Sequence, residues 1–174
     1  MSIQQLNKNQ VIWQNKILPC QVGRNGFTNI KFEGDGCTPT GNWHLLTVYY
    51  RPDRLAFPKT LLPVVAITPD MGWSDDPSDP SYNLEVKLPY NFSHESLWRD
   101  DCLYDIFITT SHNSSPVIPG QGSAIFIHQM HENKTPTAGC LALQLTDLNH
   151  IISTATLNTY WNVGNVGEEL ARIT

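Results

Sequence analysis

The sequence contains no apolar run of the roughly 20 residues that a bilayer-crossing helix needs, so no membrane span is expected. Positive charge is not in excess either: 11 Lys and Arg stand against 16 Asp and Glu, a formal charge of −5. A nucleic-acid partner normally leaves a basic footprint, and none is expected here. The balance still allows a polymeric anionic substrate met through a local group of arginines. The opening Met1-Ser-Ile-Gln-Gln-Leu-Asn-Lys8 lacks the charged-then-apolar build of a secretory signal. The expectation is a mature or trimmed form, or an unconventional route to its compartment. No Gly-Lys-Ser/Thr follows the glycines around Asp35, which argues against a phosphate loop. Cys-x-x-Cys and His-Glu-x-x-His spacings are missing as well, so a metal would have to be gathered from His128, His131 and Cys140 with Asp76 or Asp79. No metal or other cofactor is expected. Internal repeats, low-complexity tracts and linkers are also lacking, and residues 1–174 are read as a single domain.

What is present is turn chemistry and β-forming residues. With 12 prolines, 11 glycines and frequent β-branched side chains, the chain reads as a mainly β fold of many short strands. Two strands are expected within Val11–Val22, closed by a turn at Gly23-Arg-Asn-Gly26, and Gly34 to Gly41 is turn throughout. Trp43–Tyr50 and Leu62–Thr68 are predicted strands, with Pro69–Tyr82 a long polar loop after them. Ser93 is placed to cap a short helix running to Arg99, with Glu95 in its first turn. Leu103–Thr109 and Ser123–His128 are predicted strands. A helix starting near Thr146-Asp147 would bury Leu148, Ile151, Ile152 and Ala155 at helical spacing. The segment Tyr160–Thr174, with Gly164 and Gly167, is weakly patterned.

The chemistry concentrates in Gly122-Ser-Ala-Ile-Phe-Ile-His128-Gln-Met-His131, followed by Thr137-Ala-Gly-Cys140-Leu-Ala-Leu143. One apolar run ends on a histidine and another starts at a cysteine. Side by side, they would bring an imidazole to a sulfur, and a thiolate raised by a neighbouring base is a potent nucleophile near neutral pH. Gly139 leaves the backbone free to bend, and the amides around Gly139 and Cys140 are candidates to face an oxyanion. His131 and His112 compete with His128 for the base role. His131, three residues on, would face the opposite side of a strand and is expected at the surface. Four cysteines are present; with Cys140 reserved, Cys20, Cys37 and Cys102 allow at most one disulfide, or are buried small hydrophobes.

This pattern resembles the YkuD-type L,D-transpeptidases, bacterial enzymes that cross-link peptidoglycan. The likeness extends over roughly Leu18 to Ile152, through Pro19-Cys20, Gly34-Asp-Gly36, Thr38-Pro39-x-Gly41, Tyr50-Arg-Pro-Asp-Arg54, Ile67-Thr-Pro-Asp70 to Gly72-Trp73, Tyr82-Asn83, Leu97-Trp-Arg-x-Asp101 and Leu103-Tyr-Asp105. Two positions depart from the common Ser-His-Gly-Cys form: Ala138 stands where histidine is usual and Ala142 where a polar residue is usual. The resemblance implies an L,D-transpeptidase-like β-sandwich of mixed sheets with one or two short helices, in a periplasmic or cell-envelope protein. It implies acyl transfer from a tetrapeptide stem through a Cys140 thioester to an amine, with release of D-alanine. His128 would be the base, oriented by the backbone of Gln129. Trp73, Tyr82, Asn83, Arg99 and Tyr104 are the candidates for holding the stem peptide, since arginine and aromatics suit carboxylates and amides. Asn91, Asn113 and Asn133 head Asn-x-Ser/Thr triplets that read as chance in a bacterial protein. Alternatives are an L,D-carboxypeptidase or amidase using the same cysteine, and a non-catalytic cell-wall binding module. The residues leave the acceptor, the cross-link type and the oligomeric state open.

Overall fold

A computed structural model describes residues 1–164. Its N-terminal part is a meander of β1 (Ser2–Asn7), β2 (Gln10–Trp13) and β3 (Lys16–Gln21), antiparallel throughout. The sequence suggests two opening strands; the third, β1, is recruited by parallel pairing with a strand far down the chain. The β2–β3 reversal falls at Gln14 and Asn15, both at positive φ, so the Gly23–Gly26 turn closes no hairpin and instead leads into β4 (Phe27–Thr28). The remaining strands are β5 (Thr38–Pro39), β6 (Gly41–Tyr50), β7 (Val64–Ala66), β8 (Met71–Ser74), β9 (Glu85–Lys87), β10 (His94–Ser96), β11 (Ile106–Thr110), β12 (Phe126–Gln129) and β13 (Leu141–Leu143). Helix α1 (Leu145–Thr154) and β14 (Tyr160–Val163) complete the described chain. Of the weakly patterned C-terminal segment, Tyr160–Val163 is therefore a strand, and residues 165–174 lie outside the described residues.

Strands β11-β12-β13-β3-β2-β1-β14-β6-β7 form one sheet in that order, and an added β11–β6 ladder joins the end strand β11 to β6, the neighbour of the other end strand. The long strand β6 makes this possible. Its first half, Gly41–His44, pairs with β14, and its second half, Leu45–Tyr50, pairs with β11 across a register shift. The result is a mainly β, L,D-transpeptidase-like fold in which mixed parallel and antiparallel layers share β3 and β6. Ile3, Val11, Trp13, Leu45, Val48 and Ile127 fill the interior, each at most 1% exposed. Helix α1 lays Leu148, Ile151 and Ile152 on this core, as their spacing predicts.

The expected second helix does not form. His94, Glu95 and Ser96 pair antiparallel with Ser74, Trp73 and Gly72, and β8 pairs on its other side with β9. A capping signal worth about 1 kcal/mol gives way to ladder bonds and to burial of Leu97, which is fully enclosed. The predicted Pro69–Tyr82 loop thus contains the central strand of a small three-stranded sheet. Trp73 of β8 and Leu97, just after β10, with Tyr49, Tyr104, Phe107 and Phe126, make a second apolar cluster. Its centre is a stack: Tyr49 on Phe107 at 4.9 Å and Phe107 on Phe126 at 4.8 Å between ring centroids.

Candidate active site

The candidate site lies where this second cluster ends. Strands β12 and β13 run parallel, with Ile127 opposite Leu141 and His128 opposite Ala142. Side chains alternate along a strand, so Ile127, Leu141 and Leu143 enter the main core while Phe126 and Cys140 enter the aromatic cluster. His128 and Cys140 therefore share a face, and both line a cavity of about 350 Å³ with Glu95, Arg99, Tyr104 and His131.

Cys140 is 8% exposed. Its Sγ donates to the Ala124 carbonyl at 3.1 Å and accepts from the Phe126 amide at 3.3 Å. Burial, helped by the negative charge of Glu95, pushes the thiol up to about 12. Just before it, Gly139 sits at φ +154°, and a Cβ there would lie 2.8 Å from the Cys37 carbonyl oxygen and 2.9 Å from Ile125 Cδ1. Only glycine fits so close to that backbone. The Gly139 carbonyl accepts from Thr38 Oγ1 at 2.8 Å. Its amide donates to Thr137 Oγ1 at 3.1 Å, and that hydroxyl donates to the Cys140 carbonyl at 2.7 Å. The Gly139 N–H expected to face an oxyanion is thus engaged in the turn that shapes the nucleophile's backbone.

His128 Nδ1 lies 2.7 Å from the Gln129 carbonyl oxygen. A carbonyl only accepts, so Nδ1 carries the proton and the lone pair is on Nε2. Burial holds the imidazole down at about 4, against a smaller upward pull from that hydrogen bond, and the Tyr104 ring packs edge-on at 5.7 Å. Thiol and imidazole are both neutral at pH 7.

Of the five residues expected to hold a peptide, the structure brings two to the cavity. Arg99 lines it while gripping both oxygens of Asp101, through Nε at 2.8 Å and Nη2 at 2.6 Å. Tyr104 lines it and donates to Glu95 Oε2 at 2.5 Å. The segment carrying both is pinned from below: Arg51 stacks its guanidinium 3.6 Å from the Trp98 ring centroid and donates to the Arg99 carbonyl, while Arg54 pairs with Asp105 at 2.6 Å. The remaining three do not line it. Trp73 packs edge-on against Phe126 and donates to Asn83 Oδ1; Tyr82, 1% exposed, donates to Glu33; Asn83 is buried at φ +58° and accepts from the Ala124 amide at 2.9 Å. Their aromatic and amide groups suit ligands and cores equally, and long-range packing decides between the two.

His131 also departs from expectation. Strand β12 ends at Gln129, so strand alternation does not reach position 131, and the imidazole is half-buried and lines the cavity. His112 is buried elsewhere, edge-on to Trp43 with Nε2 at 3.0 Å from the Gln121 carbonyl. Asp79 is held by Ser74 and Tyr90 and Asp76 by Ser78, away from the cavity, and among the described residues no three His, Cys, Asp or Glu side chains are placed to hold a metal. All four cysteines are free thiols, Cys20 and Cys140 buried, Cys37 and Cys102 half-buried. Glu95 is the cavity residue that the sequence pattern hides, because its local context resembles a helix start.

Comparison with protein families matches the model for YkuD, the L,D-transpeptidase catalytic domain, over residues 3–164. No curated protein and no solved structure matches the chain.

Proposed function

Because this chain belongs to the YkuD family of L,D-transpeptidase catalytic domains, we propose that it is a cysteine-dependent peptidoglycan L,D-transpeptidase of the cell envelope. The observation that carries this reading is the shared face of His128 and Cys140, which opens them onto one cavity lined by an arginine and a tyrosine.

The proposed sequence starts from the neutral pair. When a tetrapeptide stem fills the cavity, His128 Nε2 takes the thiol proton as Sγ attacks the carbonyl carbon of the third residue. The bond to the terminal D-alanine breaks, and the imidazolium returns its proton to the leaving amine. The Cys140 amide supports the transient oxyanion, since the Gly139 amide is bonded to Thr137. A primary amine of a second stem then attacks the thioester carbon. The C–S bond breaks, an L,D cross-link forms, and the thiol is restored. Arg99 and Tyr104 hold the donor stem. Ala138 and Ala142 leave the rim of this cavity small and uncharged.

The test is incubation of the purified protein with defined tetrapeptide muropeptides, read by mass spectrometry. Cross-linked dimers with loss of D-alanine are expected, along with acylation of Cys140 by a carbapenem. Tripeptides alone would assign hydrolysis instead. Turnover that survives Cys140→Ala would refute the assignment.

A further inference from the structure

The cavity contains a carboxyl group to which the acyl-transfer steps above give no role. Glu95 lines it together with Cys140, His128 and Arg99, fixed by the Tyr104 hydroxyl on Oε2, while Oε1 accepts no hydrogen bond among the described residues. The charges near it are unbalanced. Burial, with the negative charges of Asp75 and Glu33, pushes the Glu95 carboxyl up, and Arg99, the base among these neighbours, is committed to Asp101 through two hydrogen bonds, so a cation brought close is what favours the carboxylate form. The side of the cavity at Glu95 therefore lacks a cation, and a protonated amine has the charge and donors to supply one. The donor stem presents amides and a carboxylate to the scissile region, which Glu95 would repel. The acceptor is the partner that arrives as an ammonium.

Resting on the transpeptidase reading, we propose that Glu95 is the specificity-determining residue for the acyl acceptor, binding its ammonium group and taking the first of its protons. The ammonium gives one proton to the Glu95 carboxylate, and the freed amine forms the new C–N bond at the thioester carbon. As the C–S bond breaks, its electron pair goes to Sγ. The second amine proton passes through His128 to that sulfur, and Glu95 returns its own proton to solvent. Tyr104 positions Glu95.

The experiment measures how the acyl-enzyme formed from a tetrapeptide stem is resolved by two nucleophiles: glycinamide, largely protonated at neutral pH, and hydroxylamine, which is uncharged there. For Glu95→Gln, an isostere that still accepts from Tyr104, the acceptor KM for glycinamide is expected to rise about tenfold relative to that for hydroxylamine, as loss of one charge-assisted contact allows. Glu95→Asp keeps the charge and should retain a preference for glycinamide. Equal losses for both nucleophiles, or no loss for either, overturn the proposal. If the wild-type protein forms no acyl-enzyme, the transpeptidase reading fails and this inference fails with it. A wild-type protein that cross-links while Glu95→Gln shows an unaltered glycinamide KM sinks the inference alone.

Discussion

The Cys140 thiol donates to the Ala124 carbonyl across 3.1 Å, with the Phe126 amide donating to the same sulfur at 3.3 Å. In this resting arrangement the S–H points at a backbone oxygen, and burial drives the thiol up to about 12. The free protein should therefore hold a neutral thiol beside a neutral imidazole, not a preformed ion pair. Iodoacetamide modification of the Cys140 peptide, followed by mass spectrometry, should speed up continuously from neutral pH to beyond about pH 9. A rate that levels off below about pH 7 would reveal a standing thiolate and contradict the neutral pair.

Burial of two imidazoles sets a second prediction. His128 is held at about 4 and His112 is also lowered, both chiefly by desolvation, so the folded state keeps them uncharged. An unfolded chain protonates them below about 6.5, binding more protons than the native state, and stability must fall as pH drops from there towards 4. Each histidine contributes at most about 1.4 kcal/mol per pH unit in that window. Glu95, raised by burial, works in the opposite sense over part of it. Urea midpoints measured from pH 7 to 4 should fall, and the slope should flatten in His112→Asn. A profile identical in that variant removes His112 from the account.

Asn83 connects three elements behind the nucleophile. Its Oδ1 accepts from Trp73 Nε1 at 3.0 Å and from the Ala124 amide at 2.9 Å, and its Nδ2 donates to the Asn113 carbonyl at 2.8 Å. Ala124 is itself at φ +50°, a conformation alanine adopts only when held. Asn83→Ala strips these buried partners and should destabilise the protein by about 3 kcal/mol. Cys140 acylation should drop as well, because the Ala124 carbonyl that receives the thiol loses its anchor. Asn83→Asp keeps the accepting oxygen and should lose less on both counts. Chemical denaturation and the acylation rate together check this; an Asn83→Ala protein of unchanged stability refutes the clamp.

These relationships mark where sequence reading stops. The β12 and β13 pattern was legible because alternation alone puts His128 and Cys140 on one face once the strands are neighbours. The helix carrying Leu148, Ile151 and Ile152 was legible for the same kind of reason, a local period. The segment Ser93–Arg99 was not, since its strand state depends on Gly72–Ser74, some twenty residues away in sequence. Trp73, Tyr82 and Asn83 have the chemistry of ligands, and their pairing with Asn83, Glu33 and Ala124, outside the cavity lining, rests on contacts that no local pattern reveals. Glu95 enters the cavity through that same non-local pairing.

The last prediction concerns the backbone ahead of the nucleophile. Gly139 is held at φ +154° between Thr38, which donates to its carbonyl, and Thr137, which accepts from its amide. In Gly139→Ala the new methyl would sit 2.8 Å from the Cys37 carbonyl oxygen, a backbone atom that cannot rotate away. Relief requires shifting either the Gly34–Gly41 turn or the Cys140 backbone, and the hydrogen bonds of Thr38 and Thr137 resist both. A stability loss of about 2–4 kcal/mol is expected from strain and displaced hydrogen bonds. Activity should fall further than the folded fraction does, because the shift moves Sγ relative to His128. The ratio of acylation rate to folded protein, measured by titrating Cys140 in native protein, separates the two effects. A variant that is less stable but acylates normally per folded molecule would mean that this turn holds the fold without aiming the sulfur.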